Sequence, residues 1–233
     1  MLGRVRPFLV DLALKKMGDI VSKFGGSSVA DARQIRKTES IIRSDPRRRY
    51  VVVSAPGKRA PGDEKITDLL YACQAMSARG ESCDKPFQTI RDRYLRIARE
   101  LGAAAEIEGW LEEFRRQLDS GASADLAASR GEYLCARLLA DYLGADFVDA
   151  AGIIRLDDND SVDESSYATT ARRLSSPGLF VIPGFYGVDS KGEIKTFSRG
   201  GSDITGALVA RAVHAEVYEN WTDVSGLLMA DPQ

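Results

Sequence analysis

The chain has 233 residues, enough for one large α/β domain or two small ones with a sizeable core either way. With 44% hydrophobic and 28% charged residues and a formal charge of -2, it is neither disordered nor fibrous and carries no electrostatic footprint for nucleic acid. One histidine, His214, puts His-rich zinc sites and paired acid/base histidines out of reach.

Met1 to Gly18 places Arg4, Arg6, Lys15 and Lys16 around a short apolar run, Phe8 to Leu14, broken by Asp11. That run is too short and too charged for a membrane span, and no small-residue cleavage site follows it. We read it as an N-terminal extension, weighed against a transit peptide, with the domain proper over 19–233. Asp19 to Phe24 reads as a buried strand that stops at Gly25-Gly26. Val29, Ala32, Ile35 and Ile42 then mark a helix, closed at Asp45-Pro46. Tyr50 to Val53 is a β-branched strand run, followed by a Gly- and Pro-rich loop over Ala55 to Asp63.

Leu69, Cys73 and Met76 line a helix ending near Gly80. Apolar stripes continue through Phe87, Ile90, Tyr94, Ile97 and Leu101, then Ile107, Leu111, Phe114 and Leu118. A further helix runs from about Ala124 to Leu143. Strands are expected at Asp146 to Asp149, Ile153-Ile154 and Leu179 to Ile182, with a polar helix near Asp163 to Leu174 between the last two. Glu193 to Phe197 reads as a hairpin arm, Asp203 to Val213 as a helix and Ala215 to Trp221 as a strand. Alternating strands and helices predict a mostly parallel sheet covered on both faces. Ligands are then expected in the loops after Phe24, Val53, Ile182 and Trp221, at the carboxyl ends of the strands.

Cys73, Cys83 and Cys135 are odd in number and contain no CxxC. They read as buried or half-buried free thiols of a cytoplasmic protein. A nucleophilic cysteine paired with His214 is the competing reading, but no third group is in evidence to orient the imidazole.

Two loops carry chemistry. In Lys23-Phe-Gly-Gly-Ser-Ser28 two glycines between strand and helix let backbone approach an anion, with a lysine in reach; a plain tight turn would look the same. Ser198-Arg-Gly-Gly-Ser-Asp203 repeats the design, with Arg199 as a planar fork for a carboxylate or phosphate. The plain role for Ser202 or Asp203 is to cap the following helix. Neither GxxxxGK[ST] nor GxGxxG occurs.

KFGGSS (Lys23 to Ser28), VVVSAPGK (Val51 to Lys58), RGEYL (Arg130 to Leu134), SRGGSD (Ser198 to Asp203) and WTDVSGLLMADP (Trp221 to Pro232) together resemble the aspartate kinases of the amino-acid kinase family. The resemblance runs from Asp19 to Gln233. It implies a three-layer αβα sandwich with a mostly parallel central sheet. The implied reaction is transfer of the γ-phosphoryl of ATP to the side-chain carboxylate of L-aspartate, the first step toward lysine, threonine and methionine. By this resemblance Lys23 meets the transferring phosphoryl group, Gly25, Gly26 and Ser27 line the phosphate turn, and Asp203 holds Lys23. Arg199 and Ser202 take the α-carboxylate of aspartate, Glu132 takes its α-ammonium, Thr67 hydrogen-bonds the substrate, and Ser54 lies against the reacting groups. Thr222, Asp223 and Leu228 meet the nucleotide. Mg²⁺ would arrive with the ATP, and no protein metal site is expected.

The chain departs from the family pattern at Ser27, at Leu228 where Tyr is common, and at Gln233 where Arg is usual. The resemblance also implies a C-terminally truncated catalytic domain, without the family's ACT regulatory domains, from a homo-oligomeric parent. Readings kept beside it are another family member acting on glutamate, acetylglutamate or UMP, and a non-catalytic module that binds ATP and an amino acid.

Overall fold

β1 (Ile20–Phe24) and β2 (Arg48–Val53) pair in parallel, joined by α1 (Ala32–Arg43). The computed structural model describes residues 18–103, 106–197 and 200–222; Arg199, Asp223 and Leu228 lie outside them, as does the extension up to residue 17. The helix after Ser27-Ser28 starts later than expected: Gly26–Val29 form a 3₁₀ turn, and Asp31 caps α1 by accepting from Gln34 N at 2.9 Å. An aspartate in extended backbone satisfies one of the four unpaired amides of a helix start, which fixes where α1 begins.

From β2 the chain enters four helices, α2 (Ile66–Ala78), α3 (Asp84–Leu101), α4 (Ile107–Asp119) and α5 (Ala124–Leu143). It returns through β3 (Asp146–Phe147), α6 (Ser165–Arg173) and β4 (Phe180–Pro183). A hairpin of β5 (Tyr186–Val188) and β6 (Ile194–Thr196) follows, then α7 (Gly201–Ala212) and β7 (Val217–Trp221). The expected arm at Glu193 to Phe197 is therefore present. Its partner β5 is three residues long and carries no periodic signal. Ile153 and Ile154 are buried but form no strand of the sheet. They follow a 3₁₀ turn (Ala150–Gly152) and lie beside β5, where the Ile154 carbonyl accepts from Val188 N at 3.0 Å.

The main sheet has the order β3-β4-β2-β1-β7, and each pairing in it is parallel. Right-handed crossovers then decide the layers. Moves from β1 to β2 and from β2 to β3 go one way along the sheet; those to β4 and β7 go back. Helices of the outward moves must cover one face and those of the return moves the other. The core divides accordingly. Phe24, Val51, Val53 and Val181 pack with α1 to α5. Val21, Tyr50, Val52 and Ile182 pack with Leu208 and Val209 of α7. Strand side chains alternate between faces, so each apolar run serves two cores. The three layers match the expectation.

The three cysteines are free and buried within the α1–α5 layer. His214 is exposed in the turn after α7, with φ at 52°. They lie on opposite sides of the sheet, which removes a Cys–His nucleophile.

Candidate active site

Connections after β1 and β2 cross one face of the sheet and those after β3 and β4 the other, so the switch falls between β4 and β2, next to β1. On one side of β1 lies its sequence neighbour β2, and on the other the last strand, β7. In an open α/β sheet that switch point opens a crevice at the carboxyl ends of the strands. Lys23 and Phe24 reach it on β1, and Trp221 on β7. The two strand ends are tied there by Gly25 N donating to Trp221 O at 3.2 Å, and Phe24 and Trp221 stack at 6.1 Å. Thr222 stands exposed just past β7.

At this end Lys23 Nζ pairs with Asp203 Oδ1 at 2.8 Å, the lysine mostly covered and the aspartate half exposed. Asp203 is held from two further directions. Asn220 Nδ2 donates to its Oδ1 at 3.1 Å, and the Tyr218 hydroxyl donates to its main-chain O at 3.3 Å. The Tyr218 ring lies so close to α7 that a Cβ at Gly206 would stand 2.6 Å from it. Burial, and then the charge of Asp203, pushes the Tyr218 phenol up to about 12.

The expected phosphate turn is built by close backbone approach. Gly57 N donates to Gly26 O at 2.8 Å, and a Cβ at Gly26 would meet Ala55 O at 2.9 Å. A Cβ at Gly57 would collide with the Gly26–Ser27 peptide at 2.7 to 2.9 Å. Both positions therefore demand glycine. Gly26 and Ser27 open a 3₁₀ turn, so their N–H groups have no acceptor within it. The Lys23 ammonium lies over the same turn, 3.9 Å from where a Gly25 Cβ would be.

Across the cleft a chain of hydroxyls joins three elements distant in sequence. Ser54 Oγ, at the end of β2, donates to Ser202 Oγ at 3.0 Å, and Ser202 Oγ donates to Glu132 Oε1 of α5 at 2.8 Å. The capping role weighed for Ser202 and Asp203 is not what these side chains do. Gly200, at φ 61°, stands at the N-cap of α7, no side chain caps it, and both residues turn toward the cleft. Glu132 is only 5% exposed, and its Oε2 accepts no hydrogen bond. Burial pushes its carboxyl up to about 8. The Ser202 hydroxyl, the Lys23 charge and the neighbouring Gly184 and Ala55 amides oppose that rise without cancelling it. Gly184 makes room for the carboxylate, since a Cβ there would stand 2.5 Å from Oε2.

Lys23, Thr67, Glu132, Phe185, Gly200, Gly201, Ser202 and Asp203 line one open cleft of about 310 Å³. Phe185 is held at φ 21° and packs against Gly201, where a Cβ would stand 2.4 Å from its own. Larger hollows of about 450 and 520 Å³ lie elsewhere. The arginines of the first, Arg43, Arg48 and Arg49, already pair with Glu39, Glu219 and Asp19. The smaller cleft differs in holding a cation, an exposed carboxylate and a buried acceptor without a donor, all facing one space. Such convergence marks a site better than size does.

Of the residues expected from sequence, Lys23, Asp203, Thr67, Glu132 and Ser202 share this cleft, and Ser54 joins it through Ser202. Gly25, Gly26 and Ser27 form the adjoining turn. Asn220, Tyr218, Gly184 and Phe185 were not anticipated. Nothing local distinguishes them, although Pro183-Gly184 ends a strand expected to face the ligand. Among the described residues no group of three or more His, Cys, Asp or Glu is placed to hold a metal ion, and no helix is long and apolar enough to cross a membrane.

The amino acid kinase family model matches residues 20–233. Aspartokinase 3 of Bacillus subtilis (strain 168) is 37% identical over 227 residues, which cover 91% of this chain and 50% of the relative. The crystal structure of the Clostridium acetobutylicum aspartate kinase superposes with a TM-score of 0.89 at 49% identity, covering 93% of this chain and 50% of that one. Escherichia coli aspartokinase III, solved in complex with aspartate and ADP, superposes at 0.79 with 32% identity, covering 92% and 51%. The chain thus spans about half the length of the relatives it matches.

Proposed function

The chain belongs to the amino acid kinase family, and from that premise we propose that it forms the ATP- and L-aspartate-binding part of an aspartate kinase. The enzyme moves the γ-phosphoryl of ATP to the side-chain carboxylate of L-aspartate, giving 4-phospho-L-aspartate and ADP. The observation that carries this reading is the unpaired, buried Oε2 of Glu132 sharing a cleft with the Lys23–Asp203 pair. One end of the cleft wants an ammonium, and the other offers a cation to a phosphoryl group.

The chemistry suits a site without histidine. A carboxylate of ordinary pKa, about 4, is ionised at neutral pH, so no base is needed. Its oxygen forms a bond to the γ-phosphorus as the bond from phosphorus to the β,γ-bridging oxygen breaks, and no proton moves. The obstacle is repulsion between the carboxylate and the triphosphate. Catalysis is then positioning and charge neutralisation. Lys23 supplies charge at the turn lined by Gly25, Gly26 and Ser27, and Asp203, steadied by Asn220, orients it. Glu132 takes the α-ammonium, and Ser202 with Arg199 takes the α-carboxylate. Thr67 and Ser54 complete the acceptor side; Thr222, Asp223 and Leu228 meet the nucleotide.

Mg²⁺ neutralises phosphate charge in such transfers. Asp203 Oδ1 is already shared by Lys23 and Asn220, a donor set that fits a metal arriving on the nucleotide and not a protein cage. A cytoplasmic location, supported by three free thiols, and self-association of the parent belong to the same proposal.

ATP turnover with and without L-aspartate, on this chain and on the longer protein, tests the reading. ADP release that depends on aspartate is expected from the longer protein. Dependence on glutamate, acetylglutamate or UMP instead would move the assignment within the family, and binding of both ligands with no turnover in either form would overturn it.

A further inference from the structure

Arg93 lies on α3, outside the cleft, and is 3% exposed. A buried guanidinium costs several kcal/mol unless its donors are used, so what it holds is informative. Its Nη1 donates to Gly57 O at 3.1 Å, and its Nη2 to Asp63 Oδ2 at 2.5 Å. Asp63 is gripped in turn by Arg59, whose Nε reaches Oδ2 at 2.8 Å and Nη2 reaches Oδ1 at 2.9 Å. The Gly- and Pro-rich loop after β2 is thereby closed on itself and fastened to α3 at two points. The same Gly57 donates its N–H to Gly26 O. Gly26 O and Ser27 N–H belong to one planar trans peptide and point in opposite directions. Holding the carbonyl fixes where the Ser27 N–H is aimed.

We propose that Arg93 is a positioning residue for the phosphate turn, acting through Gly57 on the Gly26–Ser27 peptide. It touches no substrate. It sets the direction of a backbone donor before any anion arrives, so that binding a nucleotide's phosphates does not have to order the turn. The proposal rests on reading the Gly25–Ser27 turn as phosphate-binding. It also gives the loop over Ala55 to Asp63 a task that its residue types alone do not reveal.

The test compares Arg93→Met, Arg93→Lys and Asp63→Asn with the wild-type chain. The measurements are MgADP and L-aspartate affinity by calorimetry, amide hydrogen exchange over residues 24–29 and 55–63, and thermal unfolding. Arg93→Met is expected to weaken MgADP binding about tenfold while aspartate affinity changes less than about twofold. Exchange at Ser28 and Gly57, whose N–H groups donate to Gly25 O and Gly26 O, should quicken. Arg93→Lys, which keeps the charge and can reach one of the two acceptors, should recover part of the loss. Asp63→Asn, which keeps the Gly57 contact, should fall between wild type and Arg93→Met.

Unchanged MgADP affinity together with unchanged exchange at 24–29 in Arg93→Met overturns the proposal, as does an equal loss of both ligands. If Arg93→Met does not fold, Arg93→Lys and Asp63→Asn decide by the same criteria. Should the wild-type chain bind no MgADP, the phosphate reading of the turn fails. The exchange measurement then stands alone: faster exchange at 24–29 supports the strut and unchanged exchange refutes it.

Discussion

Replacing Glu132 by glutamine should make the protein more stable at alkaline pH and blind to L-aspartate. In the fold this carboxyl titrates at about 8 instead of 4.5, because burial disfavours its charge. Between those two values the folded state holds a proton that the unfolded chain has released, so stability falls as pH rises. The deficit is absent below pH 4.5. It grows to about 3 kcal/mol at pH 7 and about 5 kcal/mol above pH 8, at about 1.4 kcal/mol per unit. Against a typical total of about 5–15 kcal/mol that is a large fraction. Glutamine has the same shape without the charge, and the pH slope should vanish with it. Urea unfolding from pH 5 to pH 9 reads this directly: the wild-type curve should fall across the range relative to that of Glu132→Gln. Bound aspartate should reverse the deficit by pairing its ammonium with Oε2, and calorimetry near pH 7 in buffers of different ionisation enthalpy should show a proton released. Parallel stability curves for the two proteins would refute the account of this residue.

Lys23→Ala should abolish phosphoryl transfer in the longer protein while leaving aspartate affinity largely intact, because Lys23 faces the phosphate turn; near-normal turnover removes that role. Gly184→Ala places a methyl 2.5 Å from Glu132 Oε2 and 2.6 Å from Ser202 Cβ. It should weaken aspartate at least about tenfold, and MgADP far less, by calorimetry. Arg199→Lys exchanges a bidentate fork for a point charge and should weaken aspartate binding; an unchanged titration would remove Arg199 from the acceptor site.

Much of the architecture was legible because both periods were strong. Tyr50 to Val53 has no other plausible state, and the stripes of α3 and α4 repeat at 3.6 residues. Short elements held by distant partners were not legible. β5 has three residues, and its strand geometry comes from β6. Ile153 and Ile154 have strand composition but are turned by the 3₁₀ turn that Asp149 caps. In the cleft, glycine pairs and charged residues announced the two loops. Whether Ser202 would cap a helix or bind Glu132 was not decidable locally, since both roles suit a serine at a helix start. The answer depends on α5, 70 positions away. Asn220 was invisible for the same reason: its value lies in facing Asp203 from a neighbouring strand, and an isolated strand asparagine gives no sign of that.

The place of β1 in the sheet has a consequence for synthesis. Its partner on one side, β2, leaves the ribosome soon after it, but its partner on the other, β7, begins at Val217. At ordinary rates of elongation, β1 waits roughly 10–40 s with one edge unpaired. During that interval the growing chain has an apolar parallel strand open to any other strand nearby. The Lys23–Asp203 ion pair is equally late, since Lys23 is made near the start and Asp203 near the end of the described chain. Until α7 and β7 arrive, the nascent chain both lacks that ion pair and is at its most adhesive, and its yield in a cell depends on how well that edge is guarded.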